Sequence, residues 1–323
     1  MRNIADKTWS RKKNPMITHE IDGIRFQLKT YQDLTWLKKY GTVFSVIDAT
    51  GSGCICFGVA DKNGRDRYFI KIAGADTVDA EIAPAKSVEI LKGAAELYRV
   101  LKHSSLVELL AHYSYRAYYV AVFRWVEGEC LFDHWNFDQY NKTPGLVSPA
   151  VRFHNLPVEK KLSAAEHIFS FLETVAAKRY VAVDFYDGSL IYDFKADRMM
   201  ICDIDLFRKQ PAYNDMGEGY WGSKRMKAPE EYVLGAAIDE RTNVFTAGAL
   251  LFGFFGTYTQ AEIEDRYRYR RVLPCRIEQW ELGKEAYAAV SKAISPDRKM
   301  RYQTMAQFRR AFLEAVGRQQ EQM

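Results

Sequence analysis

The sequence predicts an α+β fold in two parts: a five-stranded antiparallel sheet with one helix, followed by a mainly helical half. Three observations predict it. Residues 42–73 hold three β-rich runs joined by tight turns. Residues 86–102 and 158–177 place apolar residues at helical spacing. Strand-like runs are concentrated before residue 126, and no internal repeat or low-complexity tract suggests a solenoid. The expected division is an N-terminal extension over 1–40 with a partly disordered start, a sheet part over 41–125 and a helical part over 126–323.

The first strand is Val43-Phe44-Ser45-Val46-Ile47, closed by the turn Gly51-Ser52-Gly53. Cys54 to Ala60 is the second strand, residues 61–66 a polar turn, and Arg67 to Ile72 the third, with Lys71 on it. Val88, Leu91, Ala94, Ala95, Tyr98 and Leu101 give residues 86–102 a helical face. Residues 106–126 read as two more strands, the second being Tyr118 to Phe123. The polar, Pro-containing stretch 133–157 reads as a short helix and a loop. Leu162, Ala165, Phe169, Leu172 and Val175 then mark a strong amphipathic helix over 158–177. Residues 243–255, 284–294 and 303–316 complete the helical half.

Composition excludes several classes. A chain of 323 residues, 48% hydrophobic and 27% charged, is ordinary for a globular protein. A net charge of +5 is only mildly basic and does not by itself indicate nucleic acid. Much of the excess sits at Arg2, Lys7, Arg11, Lys12 and Lys13 and in residues 266–271. Five cysteines, an odd number without framework spacing, suggest a reduced cytoplasmic setting, with Cys54 and Cys56 as packing residues of a strand. The basic start has no apolar stretch behind it, unlike a secretory signal, and the longest apolar run, 247–255, is too short to span a bilayer. No membrane partner is expected.

Two segments carry chemistry. Val183-Asp184-Phe185-Tyr186-Asp187-Gly188-Ser189 is followed by Cys202-Asp203-Ile204-Asp205, so two apolar runs each deliver acids into a loop. Further on, Gly222-Ser223-Lys224-Arg225-Met226-Lys227 leads into Ala228-Pro229-Glu230. With these spacings the chain resembles the eukaryotic-type serine/threonine protein kinase superfamily over residues 40–312, as a divergent, kinase-like member. The resemblance implies a bilobal fold and a γ-phosphoryl transfer from ATP, with Mg²⁺, to Ser or Thr hydroxyls of a protein substrate.

Roles follow from the same resemblance. Lys71 would hold the α- and β-phosphates, and Gly51, Ser52 and Gly53 would approach them through backbone N–H groups. Phe123 would stand as gatekeeper, with the Arg124 carbonyl and the Val126 N–H on the adenine edge. Asp184 would act as base, and Ser223 would bridge to it. Asp203, Ser189 and Asp205 would be the metal ligands, with Asp187 near enough to help. Glu230 would pair with Arg301, and Asn243 would open the central helix. Departures accompany these matches: Ala182-Val183 replaces His-Arg, Tyr186 replaces Lys, Ser189 replaces Asn, Asp205 replaces Gly and Cys56 replaces the third glycine. The position expected to pair with Lys71 falls on Ala94, flanked by Glu89 and Glu96. Two alternatives stay open: a pseudokinase that binds nucleotide or scaffolds partners without transfer, and a small-molecule kinase. Kinases of small molecules generally lack the Ala-Pro-Glu segment, which tilts the reading toward a protein substrate.

Overall fold

Residues 16–269 and 271–322 are described in a computed structural model, which shows a mixed α/β protein of small antiparallel sheets and helices. The basic residues Arg2, Lys7, Arg11, Lys12, Lys13 and Arg270 lie outside the described residues. The chain divides into two compact units, Met1–Leu91 with Leu110–Trp125, and Lys92–Leu109 with Val126–Met323.

The first unit opens with a hairpin of β1 (Ile17–Ile21) and β2 (Ile24–Leu28). Its two-residue turn is Asp22-Gly23, both at positive φ (52° and 82°), the conformation that suits the twist of flanking strands. The main sheet holds β3 (Thr42–Ile47), β4 (Cys54–Ala60), β5 (Arg67–Ala73), β6 (Leu109–Tyr115) and β7 (Tyr118–Arg124), in the order β3-β4-β5-β7-β6. Neighbours β3 to β4 and β4 to β5 pair antiparallel, as the short turns between them require, and β5 pairs antiparallel with β7 across a longer connection. Six of the seven residues of β4 are buried, so it reads as a continuous apolar run rather than an alternation. Cys54 and Cys56 are buried there and form no disulfide.

Residues 16–40 enter this core. Phe26, Leu28, Leu34 and Leu37 are buried with Phe57, Ile70, Ile72, Val120 and Val122. Asp22 fastens the hairpin to the sheet by accepting the Val43 N–H at 2.9 Å, with Lys38 Nζ 3.2 Å away. Those residues lie in the segment expected to be a mere extension. The Asp22-Gly23 turn between short apolar runs was the signal for them.

Helix α1 (Pro84–Val100) begins two residues earlier than expected, with Pro at its start where a missing N–H costs nothing. The second unit contains the three-stranded sheet of β8 (Glu129–Cys130), β10 (Leu190–Asp193) and β11 (Arg198–Ile201), in the order β11-β10-β8. Between β8 and β10 come α2 (Phe137–Lys142), α3 (Pro149–His154), α4 (Val158–Ala177) and β9 (Tyr180–Val181). Strand β12 (Arg208–Lys209) pairs with β9, and β13 (Ala212–Tyr213) with β14 (Ala237–Ile238). Helices α5 (Glu240–Phe255), α6 (Gln260–Tyr269), α7 (Lys284–Ala293) and α8 (Met305–Gln322) follow.

Helix α5 is buried from Thr242 to Phe252 without a break, the mark of a helix apolar on all sides. Its start is set by Asp239, whose carboxylate accepts the Arg241 N–H at 3.0 Å. Helix α6 escaped the sequence reading because Gln260-Ala-Glu-Ile-Glu-Asp-Arg-Tyr-Arg-Tyr carries almost no apolar face. No described helix is long and apolar enough to cross a membrane.

Candidate functional site

In the second unit, two loops carry the acids singled out from the sequence. The loop after β9 leads through Ala182 and Val183 to Asp184. Its Ala182 N–H donates at 2.9 Å to Asn243 Oδ1 on the buried helix α5. Val183 is 1% exposed, packed with Val181, Ala212, Tyr220 and Ile238. Asp184 then takes φ of 61°, and Asp203 on the second loop takes 54°. Aspartate visits this left-handed region more readily than most residues, but at a local cost of roughly 1–3 kcal/mol, and such residues cluster at functional sites. The second loop is anchored on both sides: the Cys202 N–H donates to the Ser189 carbonyl at 2.9 Å, and the Ile204 N–H to the Tyr98 hydroxyl at 3.4 Å.

These anchors gather the acids. Burial raises the Tyr186 hydroxyl far above the ordinary tyrosine range, and Asp184, Asp203 and Asp187 raise it further. Asp184, Asp187 and Asp203 therefore act on one phenol. Tyr186 also dictates its neighbour, since a Cβ at Gly188 would collide with the Tyr186 ring. Cys130 is pushed up to about 12, by burial first and then by Asp187, Asp133 and Asp203. It is a packed thiol and no nucleophile at neutral pH.

Asp203 is exposed and Asp205 half-buried, whereas Ser189 is fully buried. The Ser189 Oγ has no hydrogen-bond partner among the described residues. Asp187 has a different partner from the one expected. Arg225 grips it with both Nη atoms, at 2.7 and 2.5 Å, and lies 4.0 Å over the Phe132 ring. No group of three or more His, Cys, Asp or Glu able to hold a metal occurs among the described residues.

The segment from Gly222 to Glu230 continues from this clamp. The Ser223 carbonyl accepts N–H groups from Met226 and Lys227, turning the chain toward Ala228-Pro229-Glu230. Glu230 and Arg301, 71 positions apart, form a bidentate pair at 2.8 and 2.9 Å with side chains 4% and 0% exposed. Thr242 Oγ1 adds a third bond to Glu230, and Arg301 spends further donors on the Ser295, Arg241 and Pro296 carbonyls. The adjacent Glu231 accepts the Ala228 N–H, yet its burial pushes it up to about 8.

In the first unit, Lys71 sits on β5, in the interior of the sheet, opposite Cys56 on β4 and Ala121 on β7, and is 8% exposed. An edge-strand lysine pointing to solvent is excluded. Gly51 and Ser52 are exposed at the β3 to β4 turn, and Gly53 turns at φ of 70°. The Gly51 carbonyl accepts the Glu81 N–H at 3.0 Å, and the Glu81 side chain lies against the Gly51 α-carbon. Phe123 is buried and Arg124 exposed at the end of β7. Val126, half-buried, belongs to the second unit. The two glutamates of α1 are exposed and bound on their own helix, Glu89 to Lys86 and Glu96 to Arg99. Ala94 is buried.

No family model matches this chain, and no curated protein matches it.

Proposed function

We propose that the chain is a divergent, protein kinase-like phosphotransferase, dependent on ATP and Mg²⁺, that phosphorylates Ser or Thr hydroxyls of a protein substrate. The observation that carries this reading is the grouping of Asp184 and Asp203. The kinase resemblance gives them the roles of base and metal ligand, both adopt the left-handed conformation, and both raise the Tyr186 hydroxyl. In the reaction an acceptor hydroxyl oxygen bonds to the γ-phosphorus as the bond to the β,γ-bridging oxygen breaks. Asp184 takes the hydroxyl proton, and ADP leaves. Lys71 and the Gly51-Ser52-Gly53 turn are assigned to the phosphates, and Phe123, Arg124 and Val126 to adenine.

Mg²⁺ fits the donor set in kind. It is commonly held by one or two carboxylates together with substrate phosphates, rather than by an all-protein cage. Asp203 and Asp205 are such carboxylates, and the orphaned Ser189 Oγ is a buried oxygen for which the ion would be a partner. When bound, the ion neutralises charge developing on the phosphates. Ser189→Ala separates these roles. Removing an unsatisfied buried hydroxyl should leave thermal stability unchanged or raise it by about 1–3 kcal/mol. The same change should raise the Mg²⁺ concentration needed for half-maximal rate, read from melting curves and a metal titration.

The reading is tested with radiolabelled ATP, first with generic protein acceptors and then with the protein alone. Label on Ser or Thr of either supports it. Label only on small metabolites added to the assay would make this a small-molecule kinase. Binding of ATP without any transfer would make it a pseudokinase, a second reading favoured by the Arg225 clamp on Asp187.

Regulation by phosphate in the 203–230 segment is not expected. Many kinases grip such a phosphate with the arginine before the catalytic aspartate. Here that residue is Val183, sealed in an apolar cluster with Tyr220. Tyr220 is 3% exposed, its hydroxyl pushed up to about 12 by burial, while Tyr213 and the Ser223 backbone lie nearer solvent. Phosphatase treatment, with mass spectrometry confirming removal at Tyr213, Tyr220 and Ser223, should leave the initial rate unchanged. A large drop restored by rephosphorylation would contradict this.

A further inference from the structure

A cavity of about 510 Å³ lies wholly within the second unit, and none of Asp184, Asp187, Asp203 or Asp205 is among its lining residues. Small-molecule sites typically span roughly 300–1,000 Å³. Three stretches wall it: residues 227–232, which contain Ala-Pro-Glu, the loop 271–274 after α6, and residues 291–296 at the end of α7. Phe245, Val272, Leu273 and Ile294 make its lining largely apolar.

The charged groups on this lining have one sign. Lys227 and Arg271 are both present, and no Asp or Glu is among the lining residues. Lys227 is only 4% exposed. Its ammonium donates to the Tyr220 carbonyl at 2.6 Å and lies 4.4 Å over the Tyr232 ring, which fixes its position. Burial pushes the neighbouring Glu231 up to about 8, while the Ala228 N–H and Lys227 pull it back down. A positioned cation beside an apolar wall selects anions whose remainder is hydrophobic, because the apolar surface excludes water and strengthens the charge contact. Arg271, on the exposed loop, supplies a forked donor that matches a planar carboxylate.

We propose that this cavity is a binding site for a small carboxylate with an apolar body of one or two rings. The ring system lies among Phe245, Leu273 and Ile294, and the carboxylate faces Lys227 and Arg271. The site is separate from the nucleotide reading and stands whether or not transfer occurs.

The test is a titration of the full chain with 2-naphthoate, compared with the neutral 2-naphthamide, followed by calorimetry and ligand-observed NMR. Saturable one-to-one binding of naphthoate is expected, with naphthamide at least about tenfold weaker. Leu273→Trp, which fills the cavity, should abolish binding. Arg271→Gln, on an exposed loop where folding is not at risk, should weaken it about fivefold. Asp203→Asn should leave it unchanged. Equal binding of acid and amide, no saturable binding at millimolar naphthoate, or full binding retained in Arg271→Gln would overturn the proposal. So would loss of binding in Asp203→Asn, since the anion would then sit elsewhere. Melting curves establish that each variant is folded before its titration counts.

Discussion

Arg301→Ala should lower the melting temperature of the second unit by roughly 6–20 °C and reduce soluble expression. The pair it breaks is fully enclosed: Arg301 has no exposed side-chain surface and meets both oxygens of Glu230. Removing one partner of a buried pair costs about 3–5 kcal/mol, because the other charge stays behind without compensation. For a unit of this size each kcal/mol is worth about 2–4 °C. The loss is not confined to the pair. The same guanidinium holds the Ser295 and Pro296 carbonyls of a loop and the Arg241 carbonyl in the first turn of α5, so three carbonyls lose this donor together. Arg298, 3.7 Å from Glu230, and Thr242 offer only partial relief. Arg301→Lys, which keeps charge without the fork, should fall between the two. Differential scanning calorimetry gives the answer, and a shift under about 2 °C for the alanine variant would show that the pair carries little of the stability.

Asp184→Asn should reduce phosphoryl transfer by about 10²- to 10⁴-fold while leaving the fold intact. Asparagine is the informative replacement because Asp184 sits at φ of 61°, a conformation asparagine adopts as readily as aspartate. Alanine there would add backbone strain and confuse loss of the base with loss of the loop. The substitution also removes one of the carboxylates that raise the Tyr186 hydroxyl, which burial keeps protonated in either case. Mg-ATP affinity should be nearly unchanged, whereas Lys71→Met should weaken it. At a hundred times its dissociation constant a ligand adds about 2.7 kcal/mol to the native state, so the thermal shift in Mg-ATP separates the two effects. Full transfer activity in Asp184→Asn would remove this residue from the mechanism.

The elements that were legible in the sequence are those whose pattern is local. Cys54–Ala60 and Val158–Ala177 fall where apolar runs and 3.6-residue spacing put them. Helix α6 was not legible because its residues are polar on every face, and helicity there shows no periodic signal. The hairpin of β1 and β2 was hidden by its position behind a basic start, although its Asp-Gly turn follows a recognisable rule. Among the candidate site residues, the Glu230–Arg301 pair was accessible only through family-like spacing, because 71 positions separate its partners. The Arg225 grip on Asp187 had no such guide. Its partners are 38 positions apart, and nothing in either neighbourhood marks them as facing each other. Backbone conformation was equally silent, and the left-handed turns at Asp184 and Asp203 emerge only when both loops are tied down by Asn243, Ser189 and Tyr98.

The hairpin at the front of the first unit has a consequence for synthesis on the ribosome. Phe26 and Leu28 are made about 90 residues before Val120 and Val122, two members of the cluster that covers them. At about 5–20 residues per second, a cell needs roughly 5–20 s to make the missing strand. For that interval the nascent chain displays a short two-stranded ribbon whose apolar face is only partly covered, the kind of surface that chaperones hold and that neighbouring chains on one message can trap. Chain order thus leaves the hairpin without part of its final cover until β7 has been made.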